Sequence, residues 1–357
     1  MTERDKKLLA SAEKQYKIAK KKKHNQSRWY TKELKSLLGN TWAMFYAILG
    51  GRMTGKSYAL MDYLCNQKRK KQDQCKLYWM RISETSTKFM LANKAEKLVD
   101  PDLVRKYRLE LSTKGMNVYD RGKMFMQVMP LSAMGKLKGN AFFDKDYTGE
   151  IIIVLDEFQL EQGEKRTSFD ILYNFIGMIE NIARTTKNKI RIFLIGNTLE
   201  EASGILKAFN FLPEGFGRFY LKRKRCIIDN IEPTEEYLKD RKGSAADILG
   251  GNEMSNYTNE LKKDLSLICK QRLTTPSYLI KFGKTKQNMF IVWDGNIITR
   301  YKGQAIKSSV AMKPYLDDRY NPERRQTVID IFDAQGYKFD TLITLSYFQG
   351  ELQKVRK

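Results

Sequence analysis

Eight consecutive residues, Gly50, Gly51, Arg52, Met53, Thr54, Gly55, Lys56 and Ser57, have the types and spacing needed to hold a chain of phosphates. The glycines let backbone N–H groups close around phosphate oxygens, the lysine reaches the β and γ oxygens, and the serine hydroxyl ligates magnesium. Far downstream, Ile151 to Leu155 deliver the pair Asp156-Glu157. An aspartate there suits Mg²⁺, and the neighbouring glutamate suits the polarisation of an attacking water. Asn197 follows the apolar run Ile190 to Ile195, where its amide suits positioning that water or sensing a γ-phosphate; a turn residue capping a strand is the alternative. The chemistry expected of the set is ATP hydrolysis.

Two elements must flank such a loop. Trp42 to Leu49 is apolar on both faces, as a buried parallel strand is, and Tyr58, Leu60, Met61 and Leu64 recur at helical spacing after Ser57. Tyr58, the first residue beyond the motif, joins the expected nucleotide contacts. Lys76 to Ile82 reads as a second strand, lying in sequence between the two motifs, and residues 117–129 read as a hairpin with an Arg121-Gly122 turn. Glu150 to Leu155 and Lys189 to Ile195 read as further strands, with an amphipathic helix over 167–185 carried by Phe169, Leu172, Phe175, Ile176, Met178 and Ile179. Strands alternating with helices predict an α/β fold with a mainly parallel sheet, of the P-loop type that keeps its catalytic glutamate beside the metal-binding aspartate (the ASCE class).

Four domains or segments are expected: a basic arm over 1–28 around Lys20-Lys21-Lys22-Lys23, an ATPase domain over 29–230, a polar linker over 231–270, and a C-terminal domain over 271–357. In the last, Ser277 to Phe282, Met289 to Asp294 and Ile297 to Tyr301 read as strands around an Asp294-Gly295-Asn296 turn, and Leu342 to Val355 as a helix. Sixty-five Lys and Arg against 41 Asp and Glu give +24, which favours a polyanionic partner, nucleic acid first. One histidine and four cysteines without a CxxC pair argue against a zinc site and against histidine-based catalysis. No apolar run reaches the length of a membrane span, and the charged N-terminus has no secretory character, so the chain is expected in the cytosol. Trp29 and Tyr30 are candidates to stack on adenine, although core packing is the role expected first of an aromatic pair.

Trp29-Tyr30, Gly50 to Ala59, Pro130-Leu131-Ser132, Lys138-Gly139-Asn140-Ala141, Asp156-Glu157-Phe158, Arg184, Gly196-Asn197 and Gly336-Tyr337-Lys338-Phe339-Asp340 occur together and in order. In this the chain resembles the DNA-packaging ATPases of phi-twenty-nine-type short-tailed phages, a viral branch related to the FtsK and HerA translocases. The resemblance implies a homo-oligomeric ring, taken as a pentamer, that works in the host cytoplasm at the portal of a procapsid and pumps double-stranded DNA inward. A structural packaging RNA is a further implied partner, and no membrane is involved. It also implies that Lys138 and Arg184 act across a subunit boundary as a trans-acting lysine and an arginine finger, and that Arg52 belongs to the phosphate loop. The C-terminal domain is implied to be an α+β, RNase H-like relic without nuclease activity. Ser277 to Phe282 indeed carries no carboxylate, Asp294 falls in a turn and Asp317-Asp318 in a loop, whereas a two-metal nuclease needs clustered carboxylates. A terminase that also cuts DNA and a non-catalytic docking scaffold are the alternatives.

Overall fold

The computed structural model describes residues 30–134, 147–158, 170–183, 189–197, 204–250, 265–282, 288–303 and 322–356. The chain divides into two compact units, one of residues 1–205 and 215–261, the other of residues 206–214 and 262–357. This differs from the expected boundaries in two places. Residues 206–214 belong with the C-terminal unit, and residues 215–261, including most of the expected linker, belong with the first.

The first unit is built on strands β1 (Phe45–Leu49), β2 (Cys75–Arg81), β3 (Leu111–Lys114), β4 (Asn117–Asp120), β5 (Lys123–Pro130), β6 (Glu150–Asp156), β7 (Ile190–Gly196), β8 (Gly217–Leu221) and β9 (Cys226–Asn230). They form one sheet in the order β3-β4-β5-β2-β6-β7-β1-β9-β8. The six strands from β5 to β9 in that order run parallel, with the β3-β4 and β8 additions antiparallel at the two edges. Buried from both sides, β6 reads Glu-Ile-Ile-Ile-Val-Leu-Asp with every residue buried, the composition of a strand between helix layers. The β4-β5 turn is the expected one: Arg121 (φ 48°) and Gly122 (φ 76°) are both left-handed, the geometry whose twist matches the flanking strands.

Helices α1 (Tyr30–Leu38), α2 (Lys56–Lys71), α3 (Glu84–Ala95), α4 (Pro101–Tyr107), α5 (Ile171–Ala183), α6 (Gly204–Phe209), α7 (Glu235–Arg241) and α8 (Ala245–Gly250) accompany the sheet, α6 running across the division at residue 206. Helix α2 starts from the glycine-containing loop over residues 50–55 and ends in Lys68, Arg69, Lys70 and Lys71, cations that complement the negative end of its dipole. In α5 the buried face is Phe175, Met178 and Ile182, whereas Tyr173 and Ile176 are exposed. The sequence reading placed Ile176 on the core face; the 3.6-residue period turns it one position away from Phe175 and outward.

The second unit has β10 (Pro276–Lys281), β11 (Met289–Trp293) and β12 (Ile297–Arg300) in a meander, with β13 (Lys338–Phe339) beside β12 and parallel to it, and helices α9 (Pro322–Asp333) and α10 (Leu342–Arg356). Its core is aromatic: Phe348 of α10 lies 5.1 to 5.4 Å, ring centre to ring centre, from Phe282, Phe290 and Phe339. Asp294 sits in the β11-β12 turn, where Thr274 and Thr275 donate to its carboxylate. Segment 206–214 is joined to this unit by polar contacts, for Arg300 donates to Asn210 and the Tyr347 hydroxyl donates to the Lys207 carbonyl.

Candidate functional site

Strand register brings the chemistry to one edge. Leu49 stands opposite Gly196, Asp156 opposite Ile195, and Leu155 opposite Met80. The carboxyl ends of β1, β7, β6 and β2 therefore finish level, and the residues that follow them gather at the place where open parallel sheets bind ligands. There Arg52, Met53, Thr54, Gly55, Lys56, Ser57 and Tyr58 face Arg81, Asp156, Glu157, Gly196 and Asn197 across a cavity of about 390 Å³. Strand β7 lies between β1, which leads into the loop and Lys56, and β6, which ends in Asp156, so these two strands do not pair with each other. Two strand spacings, roughly 10 Å, separate β1 from β6.

The loop is held by its own side chains. Lys56 Nζ donates to the carbonyls of Gly50 (2.8 Å) and Gly51 (2.7 Å) and to Thr54 Oγ1 (3.2 Å), while Thr54 Oγ1 donates to Gly51 (2.9 Å). Met53 (φ 65°) and Gly55 (φ 81°) take left-handed backbone, and Gly55 thereby turns the chain into α2. Gly50 has no room for a side chain, since a Cβ would stand 3.0 Å from Ile231 Cβ at the end of β9. From α7, the Tyr237 hydroxyl donates to the Arg52 carbonyl (2.9 Å).

Burial disfavours charge on both central groups. It pushes Lys56 down from 10.5 to about 7, helped by Arg52 and opposed by Asp156. It pushes Asp156 up from 3.8 to about 6, with Glu157 adding to the rise and Arg81 and Lys56 opposing it. A bound phosphate would favour the protonated lysine, and a divalent cation would favour the ionised aspartate. Ser57 and Asp156 line the same cavity, and among the described residues no cluster of three or more His, Cys, Asp and Glu could hold a metal unaided. That donor set fits Mg²⁺, which takes one or two carboxylates and fills its octahedron with water and substrate phosphates.

Arg81 is the residue that sequence reasoning missed. It ends β2 level with Asp156, bonds Asp156 Oδ2 through Nη2 (3.0 Å), and bonds Glu157 Oε2 through Nη1. One guanidinium thus holds both carboxylates, which is the planar fork's particular ability. The only signal in the sequence was an arginine closing an apolar strand. Arg81→Ala is expected to lower unfolding free energy by about 2–4 kcal/mol, because it leaves buried Asp156 without its cation. Arg81→Lys should recover only part of that loss, since a point charge cannot span both groups; urea denaturation of the two variants checks it.

Glu157 itself is left-handed (φ 54°), a turn that leaves its side chain in the cavity and returns Phe158 to the core, where its N–H donates to Ile195 (3.2 Å). Phe158 then covers Gly196, and a Cβ on that glycine would come within 2.7 Å of the ring. Gly196→Ala is expected to cost about 1–3 kcal/mol by overpacking, measurable as a lowered urea midpoint at unchanged slope.

For Tyr30 the core-packing reading holds and the adenine-stacking one is corrected. It is fully buried and its hydroxyl donates to Asp229 Oδ2 (2.7 Å), so no face is open to adenine, and core packing is its role. Trp29, Lys138 and Arg184 lie outside the described residues, as do the arm over 1–28 and Asp317-Asp318.

Comparison with known proteins agrees with this architecture. A solved structure of the Phi-28 gp11 DNA packaging motor is similar at TM-score 0.58 and 13% identity, covering 90% of this chain and 96% of that one. The bacteriophage Phi-29 viral genome packaging motor assembly is similar at TM-score 0.59 and 19% identity, over 88% of this chain and 96% of that one. At such identities the likeness concerns the fold. No curated protein sequence is detectably similar to the chain. The family model described as podovirus DNA encapsidation protein (Gp16) matches residues 25–324, most of the sequence, and the chain belongs to that family.

Proposed function

We propose that the chain is the ATP-hydrolysing subunit of a ring that drives double-stranded DNA into a procapsid. What supports the reading is the meeting of Lys56, Ser57, Asp156, Glu157 and Asn197 around one cavity at the carboxyl edge of a parallel sheet, in a member of a DNA encapsidation family. The strand order, with β7 between the loop strand and the aspartate strand, suits the ASCE class of P-loop ATPases.

In this reading the loop N–H groups and Lys56 hold the β- and γ-phosphates, and Ser57 and Asp156 hold Mg²⁺. The cation supplies charge neutralisation on the phosphates. Glu157 accepts the proton of the attacking water, and Asn197 orients that water or reads the γ-phosphate. Arg81, bonded to both Asp156 and Glu157, sets the position of Glu157 beside the aspartate that would hold the cation. Lys138 and Arg184 reach the neighbouring subunit's site and stabilise charge on the transferred phosphoryl group. Head-to-tail contacts of that kind close into rings, and five subunits is the number taken from the family resemblance. The second unit is read as an RNase H-like relic without nuclease activity that serves nucleic acid or portal docking.

DNA is held through its phosphates, since a packaging motor must accept any sequence, so affinity should fall steeply with salt. Mixing separately inactive Arg184→Ala and Glu157→Gln subunits tests the shared site. Hybrid interfaces pair an intact glutamate with an intact finger, so DNA-stimulated ATP turnover is expected to reappear at intermediate ratios. Turnover absent at every ratio, in mixtures shown to assemble, would count against the trans assignment.

A further inference from the structure

The sequence reading drew nothing from Lys222-Arg223-Lys224-Arg225, four successive cations, yet the structure gives them a distinctive setting. They form the turn between β8 and β9, with Lys222 to Lys224 in a single 3-10 turn, and all four are exposed. Three residues complete one 3-10 turn, so their side chains fan around the tip. Arg225 is anchored, its carbonyl accepting from Met44 and Phe45 and its Nε donating to Trp42. Lys222, Arg223 and Lys224 make no side-chain hydrogen bond or ion pair with any described residue. The less exposed Lys71, Arg191 and Arg218 are paired with Glu150 or Asp229, whereas these three adjacent exposed cations are not used by the fold. Beside them Tyr220 is half exposed, its ring 6.4 Å from that of Trp42.

We propose that this turn is a contact site for the phosphodiester backbone of a nucleic acid. Lys and Arg heads neutralise successive phosphates, and a tyrosine hydroxyl is among the donors that fix a protein's register on a backbone. The turn sits where β9 begins, opposite the first residue of β1, and so at the far edge of the sheet from the cavity. Five strand residues, roughly 16 Å, separate the two edges. A backbone bound there pulls on a turn tied to the start of β1, the strand whose other end is the phosphate loop. The proposal rests on the packaging reading for its partner but names a surface that the reading does not use.

The test measures binding of the full chain to a duplex DNA and to a duplex RNA of about 30 base pairs each, by fluorescence anisotropy across a salt series. Lys222→Ala/Arg223→Ala/Lys224→Ala is compared with Lys94→Ala/Lys97→Ala/Lys114→Ala, which removes the same charge from other exposed positions. The first variant is expected to bind at least ~10-fold more weakly and to lower the slope of log affinity against log salt by about 2–3, as loss of that many phosphate contacts requires. The second should stay within about threefold of wild type. A loss confined to DNA, or to RNA, supports the site and identifies the backbone it holds. Equal losses in both variants would reduce the effect to net charge, and wild-type affinity in the first would overturn the site. ATP turnover without nucleic acid, measured in parallel, is expected to be unchanged in the first variant. A wild type lacking turnover would sink the motor reading while leaving the turn's result standing.

Discussion

Lys56→Met is expected to cut ATP turnover by at least ~10²-fold, the scale on which removal of one donor to a developing charge is felt, and to weaken nucleotide binding with it. The same substitution removes the Lys56 hydrogen bonds to Gly50, Gly51 and Thr54 but also the cost of burying an amine, and the second effect is expected to match or outweigh the first in the empty protein. Lys56 is buried, and its burial lowers its proton affinity to about 7 from 10.5. Between those values the unfolded chain binds a proton that the folded chain lacks, so this group makes stability rise with pH across that window and fall as pH drops toward 7. In Lys56→Met that slope should vanish, and its midpoint in urea at pH 7.5 should equal or exceed that of wild type. Titrations of stability and of nucleotide binding on the same preparation separate the two effects. A variant that loses binding only because it unfolds would contradict the assignment of Lys56 as a phosphate ligand.

Glu157→Gln is expected to leave nucleotide binding near wild type and to lower turnover by about 10²–10⁴-fold, the range associated with loss of a general base. The amide keeps the shape of the side chain while giving up its basicity. Its left-handed backbone is unaffected, and Arg81 keeps its bond to Asp156, so the site geometry should persist. Binding measured with a fluorescent nucleotide and hydrolysis measured in a single turnover distinguish this from loss of affinity. Turnover within threefold of wild type would move the base role elsewhere. Asn197 is the next residue on the same rim but cannot accept a proton at neutral pH.

The loop and the Asp156-Glu157 pair were legible in the sequence because each is a local signal, a fixed spacing or an acidic end on an apolar run. The parallel core strands were legible for the same reason. Arg81 was not: its role depends on β2 lying beside β6 with Met80 opposite Leu155, a pairing between segments 75 residues apart in the chain. The register that sets Arg81 beside Asp156 is a tertiary fact without a local trace. Tyr30 was ambiguous in the opposite sense, because an aromatic before a glycine-rich loop looks the same whether it faces a ligand or, as here, a buried aspartate. The β8-β9 pair also escaped notice, since Cys226 to Asn230 is a short strand that needs β1 as its neighbour to be recognised.

The assignment of 206–214 to the C-terminal unit bears on how the molecule can be dissected. The chain passes between the two units three times, after residues 205, 214 and 261. A single proteolytic nick cannot release either one as an intact body, and a fragment beginning at 262 forfeits the carbonyl of Lys207 and the amide of Asn210 that receive Tyr347 and Arg300. Fragments meant to isolate the C-terminal unit should carry 206–214 joined to its own body by a designed linker. Function mapped by simple truncation would otherwise report a damaged fold.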